Sequence, residues 1–400
     1  MAEIARFAGK RIAAIAAAIA VLGFIGLGIG LAVDPDRAWL SYLMAYWLVF
    51  SVSVGGLILL MIGYAANARW MSVVRRLTEV VALPLPALAV LFVGLPLGAA
   101  WLYPWRTPPA HATPHQLEVL AHRKPYLNLG FFTVRGAIYF AILIAASYLL
   151  RRWSVRRDAA TGERPADPEV ALGRERKLAS AMLPPVGLAF TFAVIDWVMS
   201  LEPLWYSSIF GIYAFAGGFV AAIGLVTVLA ARAWASGATG GKLTPNHFHA
   251  LGRLAFAFTV FWAYNAFFQA LLIRIANKPE EVTYYLARVH GAWAVFVVVL
   301  ILGRFALPFL VLLPRAPKFW PRAMAAVGWW LVAMHLIDVY WQVIPSHVQG
   351  DQVFSWLDLA ALAAVIGTAV AVAALRQHGV PIVPLRDPFV DQGAAYRSTT

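Results

Sequence analysis

Two aspartates occur in similar surroundings within long apolar stretches of the sequence. Asp196 lies in IDWVMSLEP and Asp338 in IDVYWQVIP, each with an isoleucine before it and a proline seven residues after it. A charged side chain at the centre of a membrane costs about 2.5–3.5 kcal/mol on insertion scales, so each aspartate is a candidate functional residue. His335 stands three residues before Asp338 and shares its helical face. This pair could relay protons, because histidine titrates near neutral pH; a structural ion pair or hydrogen bond between helices is the alternative.

Other polar side chains within apolar stretches extend this set of candidates. Arg135 and Arg304 are the expected partners of the two carboxylates, because an unpaired guanidinium in lipid costs more than a paired one. The sequence leaves open which arginine pairs with which aspartate. Tyrosine hydroxyls within the same stretches could carry protons between the charged groups. The proton-pathway candidates are therefore Asp196, His335, Asp338, Arg304, Arg135, Tyr264 and Tyr340.

The elements that must position these residues are membrane-spanning helices. Of the 400 residues, 62% are hydrophobic and 13% are charged, whereas a soluble domain carries about a quarter charged residues. The apolar runs are long and uninterrupted, which favours helices of roughly 20 residues over the alternating strands of a barrel. We expect an all-α polytopic membrane protein with ten spans: Ile12–Val33, Ala38–Ala65, Val80–Leu102, Asn128–Leu150, Leu178–Leu201, Ser207–Ala233, His249–Ile275, Val289–Leu313, Trp320–Ile344 and Trp356–Leu375.

The basic residues predict the orientation of these spans. Of the 32 Lys and Arg residues, 22 fall in segments on the side of the N-terminus and 7 in segments on the opposite side. The positive-inside rule therefore predicts that both ends of the chain are cytoplasmic. The net charge of +13 then reflects topology and contact with anionic lipid, above all in the basic loop 151–177, and a nucleic-acid partner is not expected.

The two aspartate motifs also predict an internal repeat. Their spans, the fifth and the ninth, cross in the same direction, as a parallel duplication of a four-helix unit requires. Prolines at 381, 384 and 388 predict that the C-terminal tail is extended or disordered. We expect a peripheral N-terminal helix (1–37), a first four-helix bundle (38–206), a second four-helix bundle (207–345), a peripheral tenth helix (346–376) and a cytoplasmic tail (377–400).

Several kinds of chemistry are not expected of this chain. It has no cysteine, which excludes thiolate-held iron–sulfur clusters and covalently attached c-type haem. His335 alone lies deep within a span, so a bis-histidine haem site is not expected. Neither a P-loop nor a zinc-protease motif occurs. We therefore predict no redox cofactor, metal site or catalytic residue within the chain itself.

Four segments resemble a known family of respiratory membrane subunits. Two are long: DWVMSLEPLWYSSIFGIYAFAGGFVA at 196–221 and FTVFWAYNAFFQALLIRIANKPEEVTYYL at 258–286. Two are shorter: RGAIYF at 135–140 and GRFALPFLVLLPR at 303–315. These segments resemble the F-subunit family of bacterial alternative complex III, within the polysulfide-reductase (NrfD-type) superfamily of membrane subunits.

The resemblance implies a part in quinol:cytochrome c oxidoreduction in the bacterial cytoplasmic membrane. It implies partners that hold the redox centres: an iron–sulfur subunit, c-type cytochrome subunits and a sister ten-helix membrane subunit that is the better candidate for binding quinol. This chain would then conduct protons or serve as a scaffold, whether or not a quinone also contacts it. By position, Asp196, His335, Asp338 and Arg304 would line a proton half-channel.

Two other functions are compatible with the same residues. A proton-coupled secondary transporter would also carry repeats and buried charges, although transporters often break their helices near the membrane centre. In a purely structural membrane scaffold, the charges would only hold helices together. Whether the chain is itself part of an enzyme depends on which of these functions applies.

Overall fold

The structure, a computed structural model, describes residues 4–109, 112–160, 168–348 and 353–398. Within these ranges the secondary structure is helical, apart from one isolated antiparallel bridge between Arg6 and Pro381. Ten helices are long and apolar enough to cross a membrane, which confirms the predicted all-α polytopic fold. Numbered as spans 1 to 10 in chain order, they are Lys10–Val33, Pro35–Ala65, Met71–Leu97, Leu129–Ala159, Gly173–Leu201, Phe210–Ala235, Pro245–Ala276, Trp293–Leu312, Pro321–Ser346 and Trp356–Gln377.

Spans 3 and 8 are interrupted α-helices, and spans 5 and 9 end in the 3-10 turns Met199–Leu201 and Ile344–Ser346. Span 3 is divided into Met71–Ala82, Leu85–Leu91 and Gly94–Leu97, since the prolines of this segment cannot donate the backbone hydrogen bonds of a helix. Span 8 contains a π-helical turn, Leu300–Ala306, between the α-helices Trp293–Val299 and Leu307–Leu312. Outside the spans, the described chain forms the short helices Ala99–Leu102, Pro114–Arg123, Pro168–Ala171, Pro279–Val289 and Val390–Ala394.

The spans pack as two rings of four helices with the same order of neighbours. Spans 2, 3, 4 and 5 form one ring, in which spans 5 and 2 also touch. Spans 6, 7, 8 and 9 form the other, closed by spans 9 and 6. We call these the first and second bundles. Spans 2 and 6 join the two bundles, while spans 1 and 10 pair at the periphery against span 2. The shared order of neighbours in the two bundles is the one that a duplication requires. The duplication itself stays a prediction.

Glycines allow the spans at the centre of the molecule to approach closely. A Cβ atom on Gly218 of span 6 would lie 2.6 Å from the carbonyl oxygen of Ser51 on span 2. Gly224 and Gly328 face each other across spans 6 and 9, where a Cβ on Gly328 would lie 2.5 Å from the Gly224 oxygen. Small residues at such crossings bring the backbones into direct van der Waals contact, which is the main source of helix association in lipid.

The helices continue farther than predicted on one face of the molecule. Span 3 begins at Met71 rather than Val80, and span 4 runs to Ala159 rather than Leu150. The extra turns carry charges that pair within and between helices: Glu79 accepts hydrogen bonds from Arg76 of the same span at 2.7 Å and from Arg151 of span 4 at 2.5 Å. The sequence prediction ended these spans too early because it treated charged residues as loop.

The described part of the C-terminal tail is packed against the same face. From His378 to Phe389 it forms turns and bends packed on the protein, not the extended or disordered chain predicted from the prolines: Phe389 is buried, and Asp387 forms an ion pair with Arg75 of span 3. Near the other end, the amide of Phe7 donates to the carbonyl of Val380 at 3.1 Å. Both described ends of the chain therefore lie on one face, which we call the inner face. The opposite face is called outer.

Replacing Gly328 with valine is expected to destabilise the fold by about 1–3 kcal/mol, the usual cost of overpacking a tight contact. The added side chain would have to displace the backbone of span 6 at Gly224. The measurement is the thermal unfolding midpoint in detergent. Gly187→Val is the matched control, because a Cβ on Gly187 of span 5 meets no atom within 4 Å. Equal midpoints for the two variants would contradict this account of the contact.

Candidate functional site

In each bundle, the third and fourth helices are joined by a buried arginine–aspartate pair. In the first bundle, Arg135 of span 4 binds the carboxylate of Asp196 on span 5 with two parallel hydrogen bonds. Nε donates to Oδ2 at 2.8 Å and Nη2 donates to Oδ1 at 2.9 Å. The hydroxyl of Tyr139 adds a third hydrogen bond to Oδ2 at 2.7 Å. Asp196 has no exposed surface in the isolated chain, so these three bonds replace its hydration.

The rest of the Arg135 guanidinium is also held. Its Nη1 donates to the carbonyl oxygen of Tyr126 at 2.8 Å, and its plane lies 3.9 Å from the centre of the Tyr126 ring and 4.3 Å from that of Phe131. A bidentate pair with further hydrogen bonds is the geometry that compensates best for burial of two charges. Burial, with a smaller effect of Asp196, raises the pKa of Tyr126 to about 12, so its phenol stays neutral. Arg135 and Asp196 therefore form an ion pair whose geometry is held by hydrogen bonds and aromatic contacts around the guanidinium.

The second bundle holds its aspartate in a less symmetrical way. Tyr213 of span 6 donates to Oδ1 of Asp338 at 2.5 Å. Arg304 of span 8 approaches Oδ2 with Nη2 at 3.4 Å, which is an ion-pair contact but too long for a good hydrogen bond. Within the described ranges, Oδ2 of Asp338 and Nη1 of Arg304 are buried without a hydrogen-bond partner. This pair therefore resembles the first in composition but is only partly satisfied.

His335 extends the second pair across to the first bundle. Its Nδ1 lies 3.2 Å from Nη2 of Arg304, and its Nε2 lies 2.8 Å from the hydroxyl of Ser51 on span 2. An arginine only donates hydrogen bonds, so Nδ1 must accept, and the imidazole is neutral with its proton on Nε2. Ser51 in turn donates to the carbonyl of Leu48 at 3.0 Å. The result is a continuous chain of polar groups from Tyr213 to Leu48.

The local backbone makes room for this cluster. Arg304 lies within the π-helical turn of span 8, four residues before Pro308, whose missing N–H and ring disturb the α-helical pattern there. Trp330 donates to the carbonyl of Gly303 in this turn at 2.7 Å. On the opposite side, a Cβ on Gly217 would lie 2.9 Å from Nη2 of Arg304. A side chain at position 217 would therefore push into the guanidinium.

The two predicted tyrosines do not join this cluster. The Tyr264 side chain is 55% exposed in the isolated chain and packs beside Phe268 on the outside of span 7. Tyr340 turns away from Asp338 and hydrogen-bonds to Asp358 of span 10 at 2.8 Å, next to Arg37 of span 2. Tyr340 thus belongs to another buried charge pair, Arg37–Asp358, which joins spans 2 and 10 at 2.5 Å.

Sequence reasoning missed Tyr213 and Ser51, which the fold brings to Asp338 and His335. Each lies on a different helix from the residue that it contacts. Tyrosine and serine are also common in membrane helices, so neither residue stands out in the sequence. The position of Tyr213 within the recognised segment 196–221 was the available signal. The expectation that Arg135 and Arg304 pair with the two aspartates is confirmed, and the structure decides the pairing.

Comparison with known proteins gives no match: no protein-family model matches the chain, and no curated protein is significantly similar to it. Among the described residues there is also no group of three or more His, Cys, Asp or Glu side chains that could hold a metal ion. The function must therefore be argued from the polar clusters.

Replacing Arg135 with methionine is expected to destabilise the protein by about 3–5 kcal/mol, because Asp196 would remain charged and buried without a partner. The measurement is the thermal unfolding midpoint in detergent, compared with Arg152→Met, which removes an exposed arginine from the same span. The double variant Arg135→Met/Asp196→Leu should recover much of the loss. A double variant as unstable as the single one would count against this explanation.

Proposed function

We propose that this chain is an integral-membrane subunit of a bacterial quinol:cytochrome c oxidoreductase, and that its second bundle relays protons through part of the membrane. The observation that carries the proposal is the polar chain Tyr213–Asp338–Arg304–His335–Ser51. Its aspartate, arginine and histidine are at most 3% exposed, and Arg304 and Ser51 lie near the middle of their spans. Titratable groups at this depth are costly and are typical of proton relays.

Asp338 is the group in this chain that can change its protonation state. Its Oδ2 has a weak ion-pair contact and no hydrogen bond from the described residues, so a proton can be accepted there. His335 can take up a proton on Nδ1 only when Arg304 moves away from it. Asp196, by contrast, has both oxygens bonded to Arg135 and serves to hold the first bundle together.

The redox chemistry of such a complex would take place outside this chain. The segments that resemble the F-subunit family support a set of partners: a sister ten-helix subunit that binds quinol, an iron–sulfur subunit and c-type cytochrome subunits. In this arrangement the chain contributes no redox centre and lies in the cytoplasmic membrane with both ends inside. Electron transfer in the partner subunits would drive the changes in charge that move protons through the second bundle.

Purification separates this proposal from a transporter or a scaffold that acts alone. The tagged chain, extracted from its native membranes with a mild detergent, is expected to bring haem-containing subunits, seen as c-type absorption bands in the visible spectrum and identified by mass spectrometry. A tagged multi-pass transporter from the same membranes serves as the control. A colourless, isolated chain would contradict the assignment to a respiratory complex.

Replacing Asp338 with asparagine is expected to lower the number of protons moved per electron by at least about twofold, because asparagine accepts the hydrogen bond from Tyr213 but cannot carry a proton. The measurement is proton release by the complex in vesicles during quinol oxidation, with electron flow followed in parallel. Asp36→Asn, which removes an exposed carboxylate at the start of span 2, is the control. An unchanged ratio in Asp338→Asn would remove this residue from the pathway.

A further inference from the structure

A cavity of about 260 Å³ lies on the outer face, between the ends of the two bundles. Its wall is mainly apolar and includes Trp205 and Pro345, while Glu202 and Ser346 supply polar atoms. The side chain of Glu202 is 23% exposed in the isolated chain, so its carboxylate is in contact with the outer aqueous phase. The cavity therefore connects the outer aqueous phase with the outer end of the second bundle.

Arg288 lies behind the cavity wall, on the side of the second bundle. Its Nη1 lies 2.7 Å from Oε1 of Glu202, and its Nη2 donates to Ser346 at 2.9 Å. The same Nη2 donates inward to the backbone carbonyl of Gln342 on span 9 at 3.0 Å. The guanidinium has no exposed surface and lies 3.6 Å from the centre of the Tyr284 ring. Arg288 therefore contacts two residues of the cavity wall, Glu202 and Ser346, and the backbone of span 9.

Below Arg288, the second bundle contains a group of buried polar atoms that the described protein does not pair. They lie on three of its four helices and face its interior. On span 7 they follow one buried face, at positions 259, 262 and 269, and on span 9 they lie one turn apart, at 338 and 342. The atoms are Thr259 Oγ1, Trp262 Nε1, Gln269 Oε1, Arg304 Nη1, Asp338 Oδ2 and Gln342 Oε1.

We propose that these atoms line a file of bound water molecules that joins Asp338 to the outer cavity. Leaving a buried polar atom unpaired costs about 1–3 kcal/mol, and six such atoms facing one interior would be a large penalty. A buried water typically makes about three hydrogen bonds to groups of this kind. Donors such as Trp262 and Arg304 and acceptors such as Gln269 and Asp338 occur together, as a chain of water molecules requires.

The file opens only towards the outer face. Thr259 and Arg304 lie near the middle of spans 7 and 8, and the glutamines lie near the outer ends of spans 7 and 9. At 1.5 Å per residue, the ten residues from Thr259 to Gln269 cover about 15 Å along the helix. On the inner side, spans 6 and 9 are in backbone contact at Gly224 and Gly328, where no water fits between them. The Glu202–Arg288 pair closes the outer end.

This inference deepens the proposed function and depends on it only for the movement of protons. With the file in place, a proton on Asp338 passes to water and reaches Glu202 when Arg288 releases its contacts. The second bundle then exchanges protons with the outer phase, and Glu202 becomes the outermost titratable group of the pathway. The presence of water in the bundle does not depend on whether the chain belongs to a respiratory complex.

The test is radiolytic labelling of the full-length chain, purified with the subunits that accompany it. A short X-ray pulse converts bound water to hydroxyl radicals, which oxidise neighbouring side chains, and mass spectrometry measures the rate at each residue. Trp262, 5% exposed, is expected to be oxidised several-fold faster than Trp47, a tryptophan 1% exposed that packs among aromatic rings in the first bundle. The double variant Thr259→Val/Gln269→Leu should lower the rate at Trp262 and leave that at Trp47 unchanged.

The outcomes separate the water file from the proton pathway. Equal oxidation of Trp262 and Trp47, or a double variant that melts normally and is oxidised as fast as the parent, would overturn the file. Fast oxidation of Trp262 with an unchanged proton ratio in Asp338→Asn would keep the file and remove the proton role. Where the file is present, Glu202→Gln should lower the proton ratio without slowing the oxidation of Trp262. An unchanged ratio in that variant would overturn the role of Glu202.

Discussion

The structure depends on a single constraint: a charge placed inside the hydrocarbon of a membrane must find its partner within the protein. Each bundle satisfies this constraint with an arginine from its third helix and an aspartate from its fourth. Because the two charged residues lie on different helices, each pair fixes how its helices are rotated about their axes. The same constraint acts at the periphery, where Arg37 and Asp358 join spans 2 and 10.

The two pairs satisfy the constraint to different degrees, and the cause lies in their surroundings. Arg135 faces Asp196 directly and is held between two aromatic rings, so both of its contacts with the carboxylate are short. Arg304 is drawn towards His335 and the Trp262 ring, 4.5 Å away, and it reaches Asp338 with one nitrogen only. A charge that is fully bonded in one arrangement holds helices together. A charge with an unused oxygen can exchange a proton.

Much of the fold could be predicted from the sequence, because apolar length and the distribution of basic residues are properties of the chain itself. The ten spans, the depth of the two aspartates and their arginine partners all follow from the cost of burying charge. The inner ends of spans 3 and 4 could not be predicted in this way. Arg76, Glu79 and Arg151 are charged residues, and only their ion pairs, within span 3 and between spans 3 and 4, make them part of the buried structure.

The polar cluster was harder to predict than the spans, because its members meet across helices. His335 and Asp338 share a helical face and were recognised together, but Tyr340, two residues farther on, points about 200° around the helix from Asp338. Sequence proximity alone grouped these two residues, and the structure places Tyr340 with span 10 instead. Ser51 reaches the cluster through the contact of span 2 with span 9, and Tyr213 through the contact of span 6 with span 9. No local sequence pattern encodes either contact.

The close contacts between helices explain how one bundle can be rigid at one end and hydrated at the other. Spans 6 and 9 touch through glycine at Gly224 and Gly328, so the inner half of their interface is filled by backbone. One to two turns farther out, the absence of a side chain at Gly217 leaves space that Arg304, Asp338 and His335 occupy. Glycine thus has two effects in this bundle. At Gly224 and Gly328 it lets the backbones touch and excludes water, and at Gly217 it leaves room for polar groups whose unpaired atoms require water.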